Sequence, residues 1–160
     1  MTLATAESCT GGTVAARITS VSGSSGYFLG GVVAYHNAVK SRLLQVPADI
    51  LEQFGAVSAE CARAMAHGAR ALFDSTFSVS TTGVAGPGGG SKRKPVGLVY
   101  VGVASMAATA TFEYRFQGDR HEVVAQATEK ALQELRRVVE GQLNEMNPHR
   151  RGVLFDVSIQ

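Results

Sequence analysis

The chain has 160 residues, of which 45% are hydrophobic and 18% are charged, and its formal net charge is +2. This length and composition are typical of one compact domain and leave too little chain for two. The slight positive charge forms no basic stripe, so we expect no nucleic-acid partner, because phosphate backbones bind to concentrated basic faces.

Short apolar runs alternate with helix-period segments along the chain, which favours a layered α/β fold. We predict a strand over residues 2–6, a helix over 11–21 and a second strand over 27–35. Gly30 and Gly31 either weaken the prediction of the second strand or mark a close backbone approach within it.

The next part of the chain carries several helix-start signals. Asn37 is a good N-cap for a short helix that ends at Leu44, and Pro47 stands where another short helix could begin. Ser58 is predicted to cap a longer helix. The apolar face of that helix consists of Ala62, Met65, Ala66, Ala69, Leu72 and Phe73, which we expect to be buried.

Three further strands are predicted in the second half of the chain, over residues 77–84, 97–104 and 109–116. A loop rich in glycine and proline, residues 86–95, follows the first of them. The other two strands are close enough in sequence to form a hairpin.

The last predicted helix has the clearest pattern. Asp119 and Glu122 have the spacing of a capping box, and apolar residues then recur at steps of three and four until Gly141. We therefore expect one domain over residues 1–141 and an exposed tail over residues 142–160.

The composition also bears on compartment and metal binding. Cys9 and Cys61 form no C-x-x-C pair, and the four histidines stand singly, so we predict no metal site and no disulfide framework. The start of the chain lacks a basic segment followed by an apolar run, and no stretch approaches the roughly 20 apolar residues of a membrane span. We expect a cytoplasmic protein with no membrane partner.

Open α/β sheets bind ligands outside the carboxyl ends of their strands, where loops lead into helices. Three predicted loops have this position, residues 8–12, 35–40 and 81–90. Each carries small or polar residues, so the three loops together are the candidate site.

The first loop combines a hydroxyl with two glycines at a helix start. Backbone N–H groups there can face a phosphate or a developing oxyanion, with Ser8 as nucleophile and Thr10 as a further donor. Alternatively, Ser8 and Thr10 are only helix caps, with Gly11 and Gly12 permitting tight packing. The local pattern leaves both interpretations open.

The second loop leads into the helix that contains Lys40. If Asn37 caps that helix, Lys40 lies in its first turn, where the helix dipole opposes a cation and favours loss of the proton. Lys40 could then act as a base toward a serine hydroxyl or as a fixed charge for a phosphate, or its side chain could simply extend into solvent. Tyr35 is either a packed ring or a member of the site.

The third loop, residues 83–90, has the composition of a phosphate-binding loop but matches neither standard pattern. Its end reads Gly90-Ser91-Lys92, which is not the Gly-Lys-Ser/Thr of a Walker A loop, and Ser91 stands where the dinucleotide motif requires glycine. Near the last helix, Arg120 offers a guanidinium suited to a phosphate, with a surface salt bridge as the alternative.

Taken together, five ordered motifs resemble the CinA C-terminal domain family. They are Ala6-Glu7-Ser8-Cys9-Thr10-Gly11-Gly12, residues 30–37 with Lys40, residues 55–58, residues 83–89 with 94–97, and Phe116-Gln117-Gly118-Asp119-Arg120. The resemblance extends from Thr2 to about Gly141.

This resemblance implies a three-layer α/β/α sandwich with a mixed, mostly parallel central sheet. It also implies nicotinamide-nucleotide amidase activity, in which nicotinamide mononucleotide and water give nicotinate mononucleotide and ammonia. No metal and no organic cofactor are implied. The family's proposed nucleophile corresponds to Ser8, and its proposed assisting residues correspond to Tyr35 and Lys40.

The remaining site residues follow as hypotheses from these roles. We expect Cys9, Thr10, Gly11 and Gly12 to supply the oxyanion or substrate-binding groups. Gly83, Ala85, Gly86 and Arg120 are expected to hold the phosphate or nucleotide. The expected partners are a small-molecule nucleotide substrate and further copies of the same chain, as a dimer or larger homo-oligomer.

Two alternatives to the enzyme are retained. The chain could be a non-catalytic nucleotide-binding module, because its residues near Arg120 and in the loop differ from those usual in the family. It could also be a competence-related DNA-processing factor, although the nearly neutral charge argues against that function.

Overall fold

A computed structural model of the protein describes residues 1–146. Five strands form one sheet in the order β2-β1-β3-β4-β5. Their bounds are Leu3–Glu7 for β1, Phe28–Val33 for β2, Phe77–Gly83 for β3, Leu98–Ala104 for β4 and Thr109–Arg115 for β5. The predicted mixed sheet is confirmed; β1 pairs in parallel with β2 and β3, whereas the two pairings β3–β4 and β4–β5 are antiparallel.

Helices cover both faces of the sheet. Their bounds are Thr13–Thr19 for α1, Asn37–Leu44 for α2, Ala48–Gln53 for α3, Ala59–Phe73 for α4 and Arg120–Met146 for α5. On one face, α1 and α5 pack through Val14 and Leu135 against Val79 and Val101 of the central strands. On the other face, α2 and α4 enclose a second apolar cluster. The three-layer α/β/α architecture is thus confirmed.

Close backbone approaches explain the small residues of β2. A Cβ atom at Gly31 would lie 2.0 Å from Thr5 Oγ1, and one at Gly30 would lie 2.8 Å from the ring of Phe73. The glycines therefore mark close packing within a real strand, which was one of the two interpretations of this segment.

Two predicted helix starts are confirmed by their hydrogen bonds. Ser58 Oγ accepts a hydrogen bond from Cys61 N at 3.1 Å. At the start of α5, Asp119 Oδ1 accepts from Glu122 N at 3.0 Å, and Glu122 Oε2 accepts from Asp119 N at 2.7 Å. The second pair is a complete capping box.

The cap of α2 was predicted one residue too late. His36, not Asn37, is the N-cap, because its backbone is extended and its Nδ1 accepts a hydrogen bond from Ala38 N at 3.2 Å. Asn37 is the first helical residue. Helix α1 begins two residues later than predicted because Gly12, with φ 107°, has a left-handed backbone and is the N-cap. The helix also ends two residues earlier than predicted, at Thr19.

The apolar face of α4 is also shorter than predicted. Leu72 is 51% exposed and Phe73 is only half-buried, whereas the four earlier positions of the predicted face are fully buried. Leu72 lies in the last turn of the helix and borders an open groove together with Leu43 and Ile50. The prediction that Leu72 belongs to the core is therefore wrong.

The predicted end of the last helix is wrong as well. Helix α5 continues through Gly141 to Met146, because one glycine within a helix costs only about 1 kcal/mol. The division into a domain over 1–141 and a tail over 142–160 stays a prediction, since residues 147–160 lie outside the described part of the chain.

Candidate active site

The three predicted loops meet around one cavity of about 300 Å³ at the carboxyl ends of β1, β2 and β3. They meet because β1 lies between β2 and β3 and is parallel to both, so the loops that follow the three strands leave the sheet at the same edge. The start of α5 completes the wall. The predicted site residues that line this cavity are Ser8, Cys9, Tyr35, Lys40, Gly83, Ala85, Gly86 and Arg120.

Ser8 directly follows β1 and is held at the cavity by its backbone. Its N–H donates to Thr81 O of the neighbouring strand at 2.9 Å, while its side chain retains 9% exposure. No described group forms a hydrogen bond with Ser8 Oγ, so the hydroxyl is available to a ligand in the cavity. Ser8 is therefore not a helix cap.

Glu7, which the sequence analysis did not single out, determines the shape of this loop. Glu7 is 1% exposed, and its carboxylate accepts hydrogen bonds from the N–H groups of Gly12, Val14 and Ala15, at 3.1, 3.0 and 2.8 Å. The hydroxyl of Thr10 donates to the same carboxylate at 2.6 Å. A carboxylate placed just before a glycine-rich helix start is the signal that identifies such a cap, because helix N-termini attract negative charge.

Hydrogen bonds within the protein occupy some backbone N–H groups of this loop and leave others without another residue as acceptor. Gly11 N donates to Ser8 O, and Gly12 N donates to Glu7, so both N–H groups have protein partners. In residues 1–146, neither Cys9 N nor Thr10 N donates to another residue. The Thr10 side chain is buried against Glu7 and Thr81 and does not line the cavity.

Lys40 is a buried amine within the cavity wall. Its side chain is 1% exposed, and Nζ donates to Ala34 O at 2.9 Å and to Tyr35 O at 3.5 Å. Among the ion pairs of residues 1–146 none includes Lys40. Burial lowers the pKa of Lys40 below its usual value of 10.5, because desolvation disfavours the charged form.

The pKa of Cys9, the residue next to Ser8, is shifted upward, whereas that of Lys40 is shifted downward. Burial raises the pKa of the Cys9 thiol to about 12, with the Glu7 carboxylate adding to the rise. Since the thiolate is the reactive form, Cys9 is an inert neutral thiol near neutral pH.

Arg120 and Tyr35 meet across the cavity, although 85 positions separate them in the chain. Arg120 Nη2 donates to the Tyr35 hydroxyl at 2.5 Å, and Nη1 donates to Gly86 O at 2.7 Å. Arg120 is the first residue of α5, so one guanidinium links that helix to two of the three loops.

Close packing explains why two positions of the third loop are glycines. A Cβ atom at Gly83 would lie 2.6 Å from Leu98 O, and one at Gly86 would lie 2.5 Å from Val96 Cγ1. Gly86 also has φ 85°, a conformation that other residues rarely adopt. Their role in binding phosphate stays a prediction.

Residues 1–146 contain neither a metal-ligand cluster nor a membrane-spanning helix. No group of three or more His, Cys, Asp or Glu side chains is arranged as metal ligands would be. None of the helices is both long enough and apolar enough to cross a membrane.

Comparison with known proteins places the chain among relatives of similar sequence. Over 137 residues it is 53% identical to a CinA-like protein of Citrifermentans bemidjiense, which covers 86% of this chain and 33% of that protein. Over 119 residues it is 58% identical to a CinA-like protein of a Synechococcus species, covering 74% of this chain and 28% of the relative. The chain thus spans about a third of the length of these curated relatives.

Solved structures agree with the fold. The competence/damage inducible protein CihA of Agrobacterium tumefaciens is 41% identical, with a TM-score of 0.83, over 84% of this chain and 83% of that one. A CinA superfamily protein of Escherichia coli is 33% identical, with a TM-score of 0.83, over 86% and 80% of the two chains. The family model of the CinA C-terminal domain matches residues 1–139. The chain therefore belongs to the CinA C-terminal domain family.

Proposed function

We propose that the protein is an amidohydrolase that converts nicotinamide mononucleotide and water into nicotinate mononucleotide and ammonia. The observation that carries this proposal is the meeting of three groups in one cavity, the Ser8 hydroxyl, the Lys40 amine and the Arg120 guanidinium. None of the described lining residues is Asp or Glu, so the cavity suits an anionic ligand. Its volume of about 300 Å³ lies at the small end of ligand sites, which suits a mononucleotide.

Ser8 is the preferred nucleophile. Its hydroxyl has no partner in the described chain and faces the cavity, whereas the pKa of about 12 keeps the adjacent Cys9 thiol protonated. A serine becomes nucleophilic when a base takes its proton as it attacks.

Lys40 is the proposed base. Its lowered pKa increases the fraction of neutral amine, and that amine can take the Ser8 proton. No hydrogen bond joins Lys40 Nζ to Ser8 Oγ without substrate, which is common for catalytic contacts that tighten only when substrate binds.

The reaction then proceeds through an acyl enzyme. Ser8 Oγ bonds to the carboxamide carbon, and the N–H group of Cys9, a residue that lines the cavity, is the candidate donor to the oxyanion. The bond to nitrogen breaks, the proton held by Lys40 passes to that nitrogen, and ammonia leaves. Water, activated by the neutral Lys40, next hydrolyses the ester and restores the Ser8 hydroxyl.

Replacement of Ser8 tests this proposal. In Ser8→Ala we expect ammonia release from nicotinamide mononucleotide to fall by about a thousandfold or more, because the attacking oxygen is gone. Ammonia and nicotinate mononucleotide would both be measured, with Ser20→Ala, a change at an exposed serine, as the matched control.

Three outcomes contradict the proposal in different ways. Full activity in Ser8→Ala excludes Ser8 as the nucleophile. Binding of the mononucleotide without product from the unmodified chain favours a non-catalytic module. A salt-sensitive shift of DNA with no mononucleotide binding favours a DNA-processing function.

A further inference from the structure

The hydroxyl of Tyr35 has a partner that indicates a different role from assistance to Ser8. Lys40 Nζ contacts the backbone oxygen of Tyr35, not its ring hydroxyl. The hydroxyl instead accepts the hydrogen bond from Arg120 Nη2. The tyrosine thus belongs to the side of the cavity that carries the guanidinium.

We propose that Tyr35 and Arg120 form one anion clamp that recognises the substrate's phosphate. The Tyr35 oxygen fixes the guanidinium, and the Tyr35 O–H proton is donated to a phosphate oxygen. The identity of the phosphate as that of a mononucleotide rests on the proposed function.

The hydrogen-bond inventory of the pair supports the clamp. A guanidinium has five N–H groups, and Arg120 uses two of them on Gly86 O and Tyr35 Oη. A phenol can accept one hydrogen bond while donating another, and no described residue accepts from Tyr35. The pair therefore keeps N–H and O–H donors side by side at the cavity.

The charges around the pair also suit an anion. No carboxylate within residues 1–146 forms an ion pair with Arg120. The nearest acidic residues in sequence, Asp119 and Glu122, accept hydrogen bonds from each other's backbone N–H groups in the capping box. The guanidinium is thus held in place without being neutralised, the state that favours charge-assisted binding of phosphate.

Tyr35 is well suited to a clean test because its side chain is 58% exposed, so Tyr35→Phe removes one hydroxyl without opening the core. We expect the dissociation constant of nicotinamide mononucleotide to rise about tenfold, the size of one hydrogen bond to a charged group. The preference for the mononucleotide over nicotinamide riboside, as a ratio of kcat/KM, should fall by a similar factor. Most of that loss should appear in KM.

The matched control is Tyr100→Phe. Tyr100 also donates its hydroxyl to a partner at the protein surface, Glu113 Oε2 at 3.0 Å, but it does not line the cavity. We expect its mononucleotide preference to match that of the unmodified chain. In the double variant Tyr35→Phe with Arg120→Gln, the two losses should be less than additive, because both residues serve one clamp.

The alternative role has a distinct signature. If Tyr35 helps Ser8 lose its proton, Tyr35→Phe lowers kcat on the mononucleotide and the riboside alike and leaves the preference unchanged, which overturns the clamp. Binding measured in Ser8→Ala separates the two proposals. If the unmodified chain releases no ammonia but Ser8→Ala still binds the mononucleotide more tightly than the riboside, and adding Tyr35→Phe lowers that preference about tenfold, the result supports the clamp alone. Equal binding of the two ligands by the unmodified chain overturns it.

Discussion

At the scale of single residues, Lys40 combines almost complete burial with partners that carry no negative charge. Its ammonium group donates to two backbone oxygens, and 1% of the side chain is exposed. A buried cation without a counter-ion releases its proton at lower pH than an exposed one. That property connects the packing of α2 to the chemistry proposed for Ser8.

The activity should therefore increase with pH as Lys40 becomes neutral. We expect kcat/KM to rise through a pKa below 10.5, and we expect Lys40→Met to lose this rise together with about a hundredfold or more in rate. A pH–rate profile with nicotinamide mononucleotide measures both effects. Lys130→Met, at a residue of α5 that does not line the cavity, should keep the profile of the unmodified chain. A rise that persists in Lys40→Met assigns the base to another group.

Lys40 should also make the free energy of unfolding depend on pH. The folded-state pKa of Lys40 is lowered, so between that pKa and 10.5 the unfolded chain binds more protons, and the free energy of unfolding rises with pH. The raised pKa values of Cys9 and Cys61, about 12 and 11, act in the opposite sense above their usual 9.0. Urea titrations of the unmodified chain and Lys40→Met at pH values below 9.0, where both thiols are mostly protonated, isolate the contribution of the lysine. A constant difference between the two chains contradicts the assignment.

At the scale of elements, α1 depends on a carboxylate from the strand before it. Glu7 accepts three backbone N–H groups of the α1 start and the Thr10 hydroxyl, and it is buried. A seven-residue helix is too short to be stable by itself. The interaction therefore holds α1 on the sheet and shapes the loop that carries Ser8.

Replacement of Glu7 should lower the stability of the protein. We expect Glu7→Gln to lower the free energy of unfolding by about 1–3 kcal/mol, since the amide nitrogen would face backbone donors. Urea denaturation measures the change. The matched control is Glu129→Gln in α5, which removes an exposed ion pair with Arg17 of α1. It should lower the free energy of unfolding by less than about 1 kcal/mol. Equal losses in the two variants would show that burial of the Glu7 carboxylate adds nothing.

At the scale of the whole molecule, the layer of α2 and α4 is held by close backbone contact. A Cβ atom at Gly68 would lie 1.9 Å from Leu44 O, so α2 can approach α4 only where a side chain is missing. This contact seats the C-terminal end of the helix that contains Lys40. Packing between α2 and α4 thus helps to position the helix that carries Lys40.

Two glycine substitutions compare this packing with simple helix propensity. Gly68→Ala should lower the free energy of unfolding by about 1–3 kcal/mol, because the new methyl group must displace the backbone of α2. Gly141→Ala, also within a helix, has no atom within 4 Å of the added Cβ and should raise it by about 0.5–1 kcal/mol. Thermal or urea denaturation compares them; stabilisation by Gly68→Ala would contradict the contact.

Much of the fold could be predicted because its signals are local. The strand and helix periods, the cap at Ser58 and the capping box at Asp119 and Glu122 each depend on neighbouring residues, and each is present in the structure. The cap of α2 and the bounds of α1 and α5 were mispredicted at single residues, whereas at Leu72 distant packing overrides a local pattern. Leu72 continues the apolar period of α4 yet lies beyond the core.

By itself, the sequence determined the order of the elements, the three loops at strand ends and the family motifs, because these depend on composition and short spacings. Only the tertiary structure decided that β1 lies between β2 and β3, which brings Ser8, Lys40 and Arg120 to one cavity. It also decided that Lys40 is buried and that the Tyr35 hydroxyl meets Arg120. Contacts between residues tens of positions apart depend on how the layers pack, and no local period of the chain encodes that packing.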